Sequence, residues 1–138
     1  MQKIIIDTNV FVSGIIQRGY SNLIIDTLFI EGKIQLCISD QVLEEYYSVL
    51  SRKKFIKYLD FVTKSETVLA AIEAKSTWYV PKIKIEIIVD KDDNKFLELA
   101  DESKANFLIT GNTNDFTLKK FKKTFIVTPK EYWEKHKP

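Results

Sequence analysis

Four short apolar runs constrain this chain more than any other feature: Lys3–Ile6, residues 34–38, residues 106–110 and Thr124–Val127. They are rich in β-branched and other apolar residues and show little polar alternation, which reads as strands buried on both faces. Stretches of helical period lie between most of them. Leu23, Ile24, Ile25, Leu28, Phe29 and Ile30 form a stripe that stops at Gly32. Ser39 or Asp40 caps a helix carrying Val42, Leu43, Tyr46, Val49 and Leu50. A further helix covers residues 55–75. Asp90 or Asp92 caps another, over 92–103, with Phe96, Leu97, Leu99 and Ala100, and Pro129 opens a last one. Residues 83–89 alternate, with Ile83, Ile85, Ile87 and Val89 on one face, and predict an extended edge strand.

Strands separated by helices predict an α/β fold with a parallel sheet and helices on both faces. The 138 residues suit one domain, 1–138, and 45% hydrophobic residues suffice for its core. No window approaches the roughly 18 apolar residues of a membrane span. The chain enters a strand at once, with no targeting segment ahead of it. The single cysteine, Cys37, lies in an apolar run and reads as a core residue, which fits a cytoplasmic protein.

The net charge of +2 gives no general attraction to polyanions, but Arg52, Lys53, Lys54 and Lys57 form one basic cluster and Lys119, Lys120, Lys122 and Lys123 another. The one histidine, His136, stands three residues from the end, where a frayed tail suits no general base. Imidazole-dependent catalysis and histidine-rich zinc sites are therefore disfavoured.

The chemistry lies in the acids. Asp7 ends the first apolar run, and an unpaired buried carboxylate costs several kcal/mol. It is either the N-cap of the next helix or part of a site at the carboxyl edge of the sheet, where ligands gather in such folds. On the helix of Phe96, Leu97 and Ala100, Asp93 lies three, four and seven residues earlier, on the apolar stripe. The helix dipole is worth roughly 0.3–1 kcal/mol, too little for a buried charge, so Asp93 calls for a cation. Glu45 stands at the margin of the apolar stripe of its helix, and Glu44 almost opposite that stripe. Asn112 and Asp115 follow the third strand and share its carboxyl edge. Carboxylates that converge repel unless some are protonated or a hard cation sits among them, and oxygen-only ligands suit Mg²⁺ or Mn²⁺.

These residues resemble the PIN domain family, nucleases of the PilT N-terminus type. IIIDTNVFVSG is similar to the first strand and DTN motif of the family, and SDQVLEEYYSVLSRKKF to its second motif, with Glu45 in the acid's place. DKDDNKFLELA resembles the third motif, with Asp93 as its acid, and FLITGNTNDF the fourth. The resemblance implies a three-layer α/β/α domain with a central parallel sheet of about four to five strands. It also implies one or two Mg²⁺ or Mn²⁺ ions, held by Asp7, Glu45, Asp93 and Asp115, and hydrolysis of single-stranded RNA. Asn9, Thr110 and Asn112 match polar positions that support such a site, and Arg52, Lys53 and Lys54 are candidate contacts to the RNA backbone. Small single-domain members include VapC-type toxins, usually homodimeric and held inactive by an antitoxin protein. One position departs from the family: many members carry an acid where this chain has Asn112, which lowers the charge available to a second ion.

Two rival classes remain. A degenerate domain could bind RNA or a protein without cutting. A phospho-acceptor receiver also places acids at a parallel-sheet edge, but it needs an acid pair after the first strand and an acceptor Asp closing a central one. This chain has only Asp7 after the first strand and no Asp directly closing IQLCI.

Overall fold

The computed structural model describes residues 1–86, 93–111 and 119–138. Six strands form one sheet in the order β3-β2-β1-β4-β6-β5. They are β1 (Lys3–Ile6), β2 (Gln35–Ile38), β3 (Thr77–Trp78), β4 (Phe107–Ile109), β5 (Lys120–Phe121) and β6 (Thr124–Val127). All neighbours pair in parallel except β5, which turns back antiparallel on β6. The helices are α1 (Thr8–Ile16), α2 (Tyr20–Leu23, continued as a π-helical turn over Ile24–Ile30), α3 (Asp40–Leu50), α4 (Phe61–Lys75), α5 (Asn94–Ser103) and α6 (Pro129–Glu131).

The apolar runs pair as their composition requires. Ile4, Ile5, Ile6, Leu36, Cys37, Ile38, Leu108 and Ile109 have no exposed surface. Each such isoleucine or leucine stabilises the fold by roughly 1.5–3 kcal/mol through burial. Ser39 is the cap of α3, its hydroxyl accepting from the Val42 amide at 3.3 Å. Thr128 caps α6, with Pro129 in its first turn. Gly32, at φ +76°, ends the helical stripe in a conformation that glycine adopts without strain. Gly14 serves closeness: a Cβ there would stand 3.1 Å from the Ser21 backbone and 2.5 Å from Ile25 Cδ1.

Some expectations shift. The helix expected over 55–75 begins at Phe61, because Asp60 takes the left-handed region at φ 58° and Lys53–Phe55 forms a separate 3₁₀ turn. α5 begins at Asn94 rather than 92 and stops where Lys104 turns left-handed at φ 54°. Residues 83–86 join no strand, and the remainder of the expected edge strand, 87–89, falls outside the described residues. Ile83 is 51% exposed whereas Ile85 is 8% exposed, so the two do not share one covered face. The edge beside β2 is taken by β3, held by the Gln35 side chain on Thr77 and by the Tyr79 amide on the Ile38 carbonyl at 2.8 Å. Both strands missing from the sequence reading, β3 and β5, are two residues long, too short for any periodicity.

The C-terminal segment is not frayed. Tyr132–His136 forms a π-helical turn, and the His136 carbonyl accepts from Gln2 Nε2 at 2.8 Å. Tyr132 is fully buried and donates its hydroxyl to Gln2 Oε1 at 2.5 Å. Apolar burial of Tyr132 docks a segment that its position alone suggested was loose.

Candidate active site

The strand order reverses at β1. The chain steps outward from β1 through β2 to β3, then crosses to β4 on the other side of β1. Such a switch point opens a crevice beyond the carboxyl ends of the two strands. Asp7 follows β1 and Thr110 follows β4, so both stand, buried, at that carboxyl edge. The ladder aligns Ile6 with Ile109 and continues with the Asp7 amide on the Ile109 carbonyl at 2.9 Å. The next pair in register is Asp7 with Thr110, and the Thr110 hydroxyl donates to Asp7 Oδ2 at 2.7 Å.

Asp7 is 3% exposed. Burial pushes its carboxyl above the ordinary value, the Thr110 hydroxyl pulls it back, the charge of Glu45 raises it, and the Thr8 and Asn9 amides lower it. Asp7 occupies the N-cap position of α1, yet its side chain makes no capping hydrogen bond. Capping is therefore not the whole role of this acid, whose carboxyl also takes the Thr110 hydroxyl and lies within the field of Glu45.

Glu45 reaches the same place from α3. On that helix Val42, Tyr46, Val49 and Leu50 are buried, Glu44 is exposed and Glu45 is half-buried, as the period of the sequence requires. Tyr46 fixes the helix over the strand end, its hydroxyl donating to the Ile6 carbonyl at 2.5 Å. Burial, then the charges of Asp7 and Glu45, push the Tyr46 phenol well up. The Thr8 hydroxyl donates to Glu45 Oε2. Lys95 Nζ lies 3.0 Å from Glu45 Oε1.

Asp93 is half-buried at the N-cap of α5, in αR conformation and without a capping side-chain bond. Among the described residues no three acids, cysteines or histidines are placed together to hold a metal ion. The charges of Asp7 and Glu45 act on one another, and Asp93 stands at the start of α5. Asn9 is exposed and acts on Asp7 through its amide. Asp90, Asp92, Asn112 and Asp115 lie outside the described residues.

Arg52, Ser48, Asn94, Lys95 and Glu98 line, with Glu45, a groove of about 530 Å³ between α3 and α5. Lys53 and Lys54 are exposed on the turn that follows Arg52. The second basic cluster lies on the β5–β6 hairpin, where Lys122 pairs with Asp101 and Lys120 sits 4.7 Å from the Phe125 ring. A larger and more apolar hollow of about 1000 Å³, lined by α1, α2 and α4, contains none of Asp7, Glu45 and Asp93.

Sequence reasoning did not single out Thr8, Lys95 or the buried Asn94 as site residues. Thr8 is visible as part of DTN, but its partner is 37 residues away. The signal for Lys95 was a cation in the first turn of a helix, against the dipole.

The sequence pattern of the PIN domain matches residues 3–114. The chain belongs to the PIN domain family. An uncharacterized protein of Methanocaldococcus jannaschii is 34% identical over 141 residues, spanning 96% of this chain and 90% of its own length. PIN domains are generally nucleases and typically use divalent metal ions. The residues here fit such an ion in kind: the donors are carboxylate and hydroxyl oxygens, and a buried Asp7 raised further by Glu45 carries charge that a hard cation relieves. Among the described residues no helix is long and apolar enough to cross a membrane.

Proposed function

We propose that this PIN domain is an Mg²⁺- or Mn²⁺-dependent endoribonuclease that hydrolyses phosphodiester bonds of single-stranded RNA. The observation that carries the reading is the Asp7–Glu45 pair, electrostatically coupled at the switch point of the sheet. Asp7, Glu45, Asp93 and Asp115 would hold the metal. The chemistry a divalent ion supplies there is the acidification of a water and the neutralisation of phosphate charge. Thr110 keeps the Asp7 carboxyl oriented and biased toward its charged form, and the Thr8 hydroxyl orients the Glu45 carboxylate. Arg52 at the groove, with Lys53 and Lys54 beyond it, offers positive charge to the RNA backbone. Asn112 offers a carbonyl oxygen in the fourth motif where many relatives bring a charge, which favours one ion over two.

We further propose a role as the toxin of a toxin–antitoxin pair, which the resemblance of the chain to small VapC-type members of the family supports. In that role the protein acts in the cytoplasm as a homodimer and is silenced by a cognate antitoxin. The test of the nuclease reading is cleavage of a labelled single-stranded RNA with Mn²⁺, with EDTA, and with the Asp7→Asn variant. Cleavage that persists in EDTA or in the variant sinks it.

Asn112 also supports a second reading, a non-catalytic PIN domain that binds RNA or a protein. Calorimetry separates the two, since that reading requires a folded chain that takes up no Mn²⁺ at millimolar concentration.

A further inference from the structure

Among the described residues every lysine is exposed except Lys3 and Lys95. Lys95 is unusual for where it stands and for where it points. It is the second residue of α5, where the helix dipole disfavours a positive charge. Its four-carbon stem could carry the ammonium into water. Instead the side chain is 21% exposed and spans from α5 to α3, onto Glu45 Oε1 at 3.0 Å.

The other oxygen of that carboxylate accepts the Thr8 hydroxyl. Glu45 is therefore engaged on both oxygens, and one partner is already a cation. Any metal that binds through Glu45 must compete with Lys95. An ammonium leaving Glu45 moves either to water or to another anion. Of the acids lining the same groove, Glu98 accepts the Ile85 amide at 2.9 Å, Glu44 is exposed, and Glu86 is exposed with Lys84 at 3.8 Å. A backbone phosphate entering the groove beside Arg52 matches the displaced charge better, and Lys95 already lines that groove.

We infer that Lys95 is a displaceable counter-ion: it neutralises Glu45 in the free protein and transfers to an RNA phosphate, so that RNA and divalent metal bind cooperatively. The inference rests on the nuclease reading above and adds to it a device that links metal loading to the presence of RNA. Linkage makes the coupling reciprocal, with metal tightening RNA by the same factor as RNA tightens metal.

The test is calorimetry of Mn²⁺ into the full chain and into Lys95→Met, each alone and with a short phosphorothioate single-stranded RNA. Without RNA, Lys95→Met binds Mn²⁺ about threefold to tenfold more tightly than the natural chain, the size expected for losing a partly buried competing cation. In the natural chain the RNA tightens Mn²⁺ binding, and in Lys95→Met that coupling disappears. The metal-free RNA affinity of the variant also shows a salt slope shallower by about 0.7, one phosphate contact. Lys95→Arg keeps both effects. A folded Lys95→Met that binds Mn²⁺ no more tightly, or retains the coupling, overturns the inference. Should the methionine variant not fold, Lys95→Gln is measured in the same way. A natural chain that binds neither Mn²⁺ nor RNA defeats the nuclease reading itself. One that binds both without regard to residue 95 defeats this inference alone.

Discussion

The hydroxyl of Thr110 donates to Asp7 Oδ2 at 2.7 Å, joining the residues that follow two neighbouring parallel strands. The contact follows from register. Once Ile6 lies beside Ile109, the next residue of each strand meets the other across the mouth of the sheet. The carboxyl edge at the strand-order reversal thus presents an acid whose orientation is set by the same ladder that builds the core. Five outcomes follow from this geometry and its surroundings.

Asp7→Asn removes a buried charge that the metal-free fold tolerates poorly. Its folded-state value is raised above 3.8, so the folded state holds its proton more tightly than the unfolded one. The stability of the metal-free protein should be greatest below pH 3.8 as far as this group is concerned. It should fall as pH rises to the raised value and stay level above it. At neutral pH the variant should be more stable than the natural chain without metal, and it should lose the Mn²⁺-induced rise in melting temperature. Thermal melts across pH with and without Mn²⁺ check both, and a variant less stable without metal contradicts the sign.

Thr110→Val deletes the hydroxyl that holds Asp7 and favours its charged form. Metal affinity or RNA cleavage should fall about 10–100-fold, as when a ligand loses its orienting partner. Asp7 should also titrate higher than in the natural protein. Carboxyl NMR of the metal-free variant reads the second effect directly.

Glu45→Gln and Glu44→Gln should separate cleanly although the two residues are adjacent. The first removes a half-buried acid that holds Thr8 and Lys95, and should abolish Mn²⁺ binding. The second changes an exposed side chain on the groove wall and should leave metal binding unaltered. Parallel calorimetry is sufficient, and a larger effect at Glu44 would mean that α3 presents a different face.

Tyr46→Phe deletes a fully buried hydroxyl that donates to the Ile6 carbonyl at 2.5 Å. The carbonyl is left without that partner, and the fold should lose about 1–3 kcal/mol. The edge-on contact of the ring with Phe11, at 4.9 Å between centroids, remains. Urea unfolding measures the loss, which should come as a lower midpoint at unchanged slope.

Arg52→Ala should weaken RNA binding and reduce its salt dependence, because Arg52 lines the groove that contains Glu45. Removing Lys120 and Lys123 together should change neither, since those residues lie on the β5–β6 hairpin. Filter binding across salt concentrations distinguishes the clusters. A larger effect from the hairpin lysines would place the RNA on the other face.

Much of this protein is legible in its sequence. The strands β1, β2, β4 and β6 announced themselves as apolar runs, because burial on both faces leaves no room for polar alternation. Helical period put Glu44 in solvent and Glu45 at the margin of the buried stripe, as the fold has them. The two-residue strands β3 and β5 did not, since so short a pairing is made by its neighbours rather than by its own composition. The docked C-terminal turn was likewise invisible, because Gln2 and Tyr132, which hold it, are 130 residues apart.

By itself the sequence determined the α/β class, the buried strands and the acids carried at their ends and on the helix margins. Local chemistry suffices for these: apolar residues must leave water, and period assigns each side chain to a face. Tertiary structure alone decided which of these groups meet. It set Thr110 against Asp7, brought Thr8 and Lys95 onto Glu45, and left Asp93 at the head of the next helix. Those contacts depend on strand register and on how α3 and α5 lie over the sheet, and packing across the whole chain, not any local stretch, fixes both.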